Sequence, residues 1–117
     1  MKAATANTLY QRGEVYWTEL DPVRGHEQAK TRPCAILSDT LINQRRGTVV
    51  VVPLTTTSQP ALPPILVAMP SMGAEAKART EHIRSVDKSR LRQPVGQLSE
   101  EDLASLGQAV ARILKLA

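Results

Sequence analysis

Four valines in succession, Val49 to Val52, run into Pro53, Leu54 and three threonines, and no other feature constrains the fold of this chain so strongly. β-Branched side chains are stiff in a helix and pack well on a pleated surface, so "GTVVVVPLTTT" reads as a strand. The apolar run is also too short for a helix assignment. Pro53 has no N–H for a ladder and marks a bulge or an edge within the run. Other segments share this character. In "GEVYWTEL", Val15, Trp17 and Glu19 alternate with Tyr16, Thr18 and Leu20, the period of a half-buried strand. "PCAILS" is a second strand, reached through a long polar loop, Asp21 to Arg32, that holds Pro22 and Gly25. Asp39 to Gln44 fits one helical turn capped by Asp39 or Ser38. "ILVAMP" is a further strand. "SMGAEAKART" reads as loop or a short turn, because Gly73 interrupts its helix-favouring Ala and Lys. "TEHIRSVDKSRL" reads as a strand or strand pair with Ile83, Val86 and Leu91 inward.

One helix is expected, over residues 99–116. Ser99 is a good N-cap, Asp102 stands where a capping box closes, and Leu98 with Leu103 can form a hydrophobic staple. Leu103, Leu106, Val110, Ile113, Leu114 and Ala117 make an apolar stripe at helical spacing. Glu100, Glu101 and Asp102 complement the positive end of the helix dipole, and Lys115 the negative end. The pattern predicts a mainly β (α+β) fold: five to seven short strands curled into a compact barrel, then a C-terminal helix. A chain of 117 residues is expected to form a single domain, 1–117, with 1–11 as a frayed tail.

Composition narrows the function. The formal net charge of +4 favours an anionic partner such as nucleic acid. Aromatics are only 3%, with no Phe, which argues against a fold that stacks bases on several exposed rings. No apolar stretch approaches the ~20 residues that span a bilayer, and "MKAATANTLY" lacks the apolar core of a secretory signal. One cysteine, Cys34, allows no internal disulfide and suits a reducing cytoplasm, where it reads as a small buried apolar residue. There is no P-loop, dinucleotide fingerprint, zinc pattern or nucleophile elbow. His26 and His82 lack ligand spacing, so neither a metal nor another cofactor is expected.

What remains is a set of polar residues flanking the strands. Lys30, Arg32, Arg45, Arg46, Lys77, Arg79, Arg84, Lys88, Arg90 and Arg92 read mostly as a solvated basic face. Arg32 stands apart. Pro33 restricts it to an extended backbone, so its guanidinium is mounted rigidly at the mouth of a core strand, next to the long loop. An arginine fork matches phosphate geometry. Thr55, Thr56 and Thr57 offer hydroxyl donors, and Glu81 and His82 offer proton transfer. Such a set suits metal-free RNA cleavage, in which the substrate's own 2′-hydroxyl is the nucleophile.

"RGEVYWTELDPVRGHEQAKTRPCAILSD", "VVVVPLTTT" and "EHIRSVDKSRL…VGQLS" together resemble the MazF/PemK family of toxin ribonucleases, from about Arg12 to the C-terminus. The resemblance implies a small SH3-like β-barrel with a C-terminal helix, of the CcdB/MazF type, assembled as a homodimer. It implies sequence-specific, metal-independent cleavage of single-stranded RNA, chiefly mRNA, leaving 2′,3′-cyclic phosphate and 5′-hydroxyl ends. The implied partner is a cognate antitoxin whose acidic C-terminal segment covers the RNA groove, with DNA contacted only through that antitoxin and no membrane involved. Carried over by motif, the catalytic residues are Arg32 and Thr55. The family's Arg-x-Asp pair falls on Arg79 and Glu81, with His82 beside it, as candidates for proton transfer. Glu27 and Gln28 match an E-Q pair lining the groove, joined by His26, Lys30, Thr56 and Thr57 as RNA-binding candidates. Arg84 and Asp87 read mainly as structural. The alternatives are an RNA-binding module without chemistry and a non-nuclease toxin resembling CcdB, which acts on DNA gyrase. The CcdB type relies on a C-terminus near a tryptophan, whereas this chain ends "ILKLA" and its one Trp is Trp17.

Overall fold

A computed structural model describes residues 9–20 and 31–117. The elements run β1 (Glu14–Glu19), β2 (Thr31–Ile36), α1 (Thr40–Arg45), β3 (Thr48–Thr56), β4 (Leu66–Ala68), β5 (Ala76–Arg79), β6 (Arg84–Asp87), β7 (Leu91–Gln97) and α2 (Glu100–Ile113). All strand pairs are antiparallel. The order is β4-β5-β3-β2-β1-β7, with β6 also pairing β3. The valine strand is therefore the centre of the sheet. Its residues Val51–Pro53 pair β2, while on its other edge Thr48–Val51 pair β6 and Leu54–Thr56 pair β5. Pro53 sits where both changes of partner occur, which is where a strand tolerates a missing N–H.

Seven strands and a C-terminal helix match the expected architecture, but the barrel does not close. Among the described residues no ladder joins β4 to β7. Both outer strands are poor templates for another ladder. β4 has three residues and lies between Pro63-Pro64 and Pro70, while β7 carries Pro94 and two register shifts against β1.

Sheet alternation sorts the apolar residues into two cores. Val15, Ala35, Val52, Leu54, Val67, Ala76 and Ala78 bury one face against Leu98, Leu106, Ala109 and Val110 of the α2 region. Tyr16, Cys34, Ile36, Val49, Val51 and Val86 form a second core on the opposite face, closed by Tyr10 and Leu91. Tyr10, assigned to the tail by sequence, is 1% exposed there and meets Tyr16 edge-on at 5.2 Å between ring centroids. Residues 1–8 of that tail lie outside the described residues.

α1 is capped by Asp39, whose carboxylate accepts from Leu41 N at 3.0 Å. α2 is capped by Ser99, whose hydroxyl accepts from Asp102 N at 3.0 Å. The expected reciprocal half of the capping box is replaced by a long-range contact. Asp102 accepts from the backbone N–H of Ser71 at 2.8 Å and from its hydroxyl, and Ser99 N donates to Ser71 Oγ at 3.1 Å. The helix start is thus fastened to the 3₁₀ turn Pro70–Met72. At the other end the apolar stripe outruns the helix. Lys115 takes the left-handed conformation (φ 62°), and Leu114 and Ala117 are exposed.

Two segments differ from the sequence reading. Ser71–Thr80, expected as loop, contains β5, because Ala76 and Ala78 supply small apolar surfaces that fit the main core. Tertiary packing overrides the helix propensity of Ala and Lys here. "RQPVGQ", to which the sequence assigns no element, continues from the expected strand residue Leu91 as the edge strand β7, where Pro94 and Gly96 are tolerated beside register shifts.

Candidate active site on the second sheet face

Arg32 lies in β2, half-buried, directly before Pro33. It pairs with Thr18 across the β1–β2 ladder, and Cys34 pairs with Tyr16. Alternation then sets Arg32 on the face that carries Cys34 and the second core. The β2–β3 ladder ends at Cys34 opposite Pro53. Two residues beyond that pair, on the same face of each strand, come Arg32 on β2 and Thr55 on β3. Across the other edge of β3, Lys77 stands opposite Thr55 and Arg84 opposite Val51. Three strands thus deliver Arg32, Lys77 and Arg84 to one sheet face, with the Thr55 hydroxyl among them. The apolar second core ends at this level and the polar set begins.

Cys34 reports the electrostatics of this junction. Burial raises its thiol from an ordinary 9.0 to about 11, and the Thr18 hydrogen bond and the charges of Arg84 and Arg32 offset part of that rise. The thiol stays protonated and inert at neutral pH, which agrees with its reading as an apolar filler. Burial, helped by the charge of Glu14, likewise pushes Tyr16 from 10.0 to about 12. Both shifts favour the neutral form in the fold. The unfolded chain releases these protons first, so their contribution to stability is intact below about pH 9 and is lost as pH rises from 9 toward 12. A melting-temperature series across that window is expected to fall steadily. A flat profile would refute the burial assignment.

The other expected site residues separate. Arg79 shares the Lys77 face by alternation and is half-buried at the end of β5. Glu81 and His82 are exposed in the 3₁₀ turn Thr80–His82, beyond the ladder, and no strand pairing assigns them to the Arg32 face. That turn is anchored by Thr80, which is buried and donates its hydroxyl to the Pro64 carbonyl. Thr56 is exposed on the opposite face from Thr55, a consequence of the two-residue strand period. Thr57 is used locally: its hydroxyl accepts from Gln59 N at 3.1 Å and its carbonyl from Lys77 Nζ at 3.0 Å. His26, Glu27, Gln28 and Lys30 lie outside the described residues.

Several cations of the expected solvated face have structural work instead. Arg90 donates to the Glu19 carbonyl at 3.4 Å and to that of Leu20, and Arg92 pairs with the Glu19 carboxylate at 3.0 Å. Together they clamp the end of β1 that pairs with the Arg32 end of β2. Lys88 lies 5.9 Å from the Tyr10 ring centroid. Asp87 accepts from Ser89 N at 2.9 Å, capping the turn before β7. Lys77 is the largest departure, since it is buried. The signal was the alternation Ala76-Lys77-Ala78, legible only once the segment is taken as a strand. Among the described residues no group of three or more His, Cys, Asp or Glu could hold a metal ion.

With this geometry in place, comparison with known proteins is decisive. The family of PemK-like, MazF-like toxins of type II toxin–antitoxin systems matches residues 11–114. The chain belongs to this family. It is similar to endoribonuclease MazF9 of Mycobacterium tuberculosis, 34% identical over 116 residues, covering 92% of this chain and 98% of that one. It also resembles endoribonuclease MazF of Staphylococcus saprophyticus, at 29% over 106 residues with 87% and 88% covered. Among solved structures, a mycobacterial endoribonuclease in complex with its cognate antitoxin aligns with a TM-score of 0.75 at 28% identity, covering 92% of this chain and 97% of that one. A MazE–MazF complex from Deinococcus radiodurans aligns with a TM-score of 0.79 at 25% identity, covering 95% and 100%. The open seven-stranded sheet with its C-terminal helix is thus the MazF fold.

Proposed function

We propose that this MazF-like chain is an endoribonuclease toxin that cleaves single-stranded RNA without a metal, with Arg32 and Thr55 at the scissile phosphate. The observation that carries this reading is their shared face, two residues past the last β2–β3 pair. Family membership and the endoribonuclease relatives support the same activity and weigh against the gyrase-directed alternative.

In the reaction, the ribose 2′-oxygen attacks phosphorus and loses its proton, while the P–O5′ bond breaks and O5′ gains one. The products are a 2′,3′-cyclic phosphate and a 5′-hydroxyl. A guanidinium is a poor base, so the role of Arg32 is to stabilise charge on the phosphoryl oxygens. Its fork can engage two oxygens at once. The Thr55 hydroxyl donates to a phosphoryl oxygen. Glu81 and His82 are the candidates for moving the two protons, with Arg79 as a further cation. The basic face also suits an acidic antitoxin segment, and two of the aligned structures are complexes with an antitoxin. A homodimer acting in the cytoplasm completes the reading.

The test is incubation of the purified chain with a long transcript in EDTA. Discrete fragments with 5′-hydroxyl ends are expected. Intact RNA, or fragments only after a divalent metal is added, would overturn the proposal.

A further inference from the structure

Lysine is rarely buried without a partner, yet Lys77 is 8% exposed. Its neighbours Ala76 and Ala78 enter the main core, so alternation sends the Lys77 side chain to the opposite face. There it stands directly across from Thr55 in the β3–β5 ladder. Side chains so opposed have Cβ atoms about 4.5–5.5 Å apart. An ammonium carries three donors. Among the described residues Nζ meets one acceptor, the neutral Thr57 carbonyl at 3.0 Å, and no carboxylate pairs with it. A charge buried against a single neutral oxygen is costly, and an incoming anion offsets that cost. Arg32 and Arg84 share the same face, so the anion would meet several cations at once.

We propose that Lys77 is a phosphate-binding residue of the RNA site. The Thr57 carbonyl holds Nζ at the end of the threonine run. Its two remaining N–H donors reach a backbone phosphate next to the one engaged by Arg32 and Thr55. The proposal rests on the ribonuclease reading. The bland alternative is a pin that only ties β5 to the end of β3.

Salt dependence separates the two, because counterion release counts phosphate contacts and a structural pin has none. The probe is a 2′-fluoro copy of the transcript, which binds without being cleaved. Its affinity for the full chain is measured over a range of salt concentrations. For single strands each phosphate contact adds about 0.7 to the slope of log affinity against log salt. Lys77→Met is expected to lower the slope by about that amount, and Lys77→Arg to keep it. If Lys77→Met retains the wild-type slope while Arg32→Ala lowers it, Lys77 is only a pin and the ribonuclease reading stands. If the wild-type chain itself fails to bind, both fall. Should Lys77→Met fail to fold, the Lys77 side-chain NMR signal of the wild-type chain serves instead. It is expected to shift on binding more than that of Lys115, and an unmoved signal overturns the proposal.

Discussion

Arg32→Ala and Thr55→Val are each expected to cut the cleavage rate of a long transcript by about 10²–10³, the usual cost of removing one donor to a developing oxyanion. Melting temperatures should stay near wild type. Arg32 is half-buried at the open end of β2, and Thr55 lies past the last β2–β3 pair, so neither fills a core. Removing the Arg32 charge moves the Cys34 thiol further from ionisation, which costs nothing at neutral pH. Arg32→Lys should recover part of the activity, since a point charge replaces the two-pronged fork. Fragment yield on a denaturing gel, read against a wild-type time course, checks the pair. Full cleavage by either the alanine or the valine variant would remove that residue from the mechanism.

Leu106→Ala should destabilise the fold by about 2–5 kcal/mol, the range for a leucine truncated in a packed core. At roughly 4 °C per kcal/mol for a domain of this size, the melting temperature drops by on the order of 10 °C. Leu106 is 0% exposed and packs in the cluster that holds Ala35, Val52 and Leu54. Leu114→Ala, from the same sequence stripe, should change little because Leu114 is 50% exposed. The two variants measured side by side by thermal melting test whether the helix seats through its middle or along its whole length. Equal losses would place Leu114 in the core.

The parts of this fold written in local chemistry were readable. Ser99 caps α2 where its hydroxyl and the following acidic turn say it should, and the valine run is the central strand. The misreadings arise where distant residues decide. Ala76-Lys77-Ala78 has no local reason to be extended, and only the core beneath it selects a strand. The Asp102 carboxylate has a good local partner at the helix start, yet Ser71, 31 residues away, takes it. The site behaves in the same way. Arg32 could be singled out by its rigid mount, and Thr55 by the end of its strand. Their shared face depends on the β2–β3 register, which no single segment contains. Thr56 shows the reverse: it sits one position from Thr55 in sequence and on the other side of the sheet.

The valine strand serves two masters at alternate positions. Val52 and Leu54 bear on the helix, while Val49, Val51 and Thr55 bear on the opposite side. The helix contact and the candidate site therefore fall on different residues of the same nine, while Val49 and Val51 give the site's side a core of its own. A change at Thr55 can thus leave the helix contact untouched, whereas a change at Val49 or Val51 disturbs the second core. Selection for stability alone should accordingly constrain Val49, Val51, Val52 and Leu54 alike and leave the threonine end of β3 freer to vary.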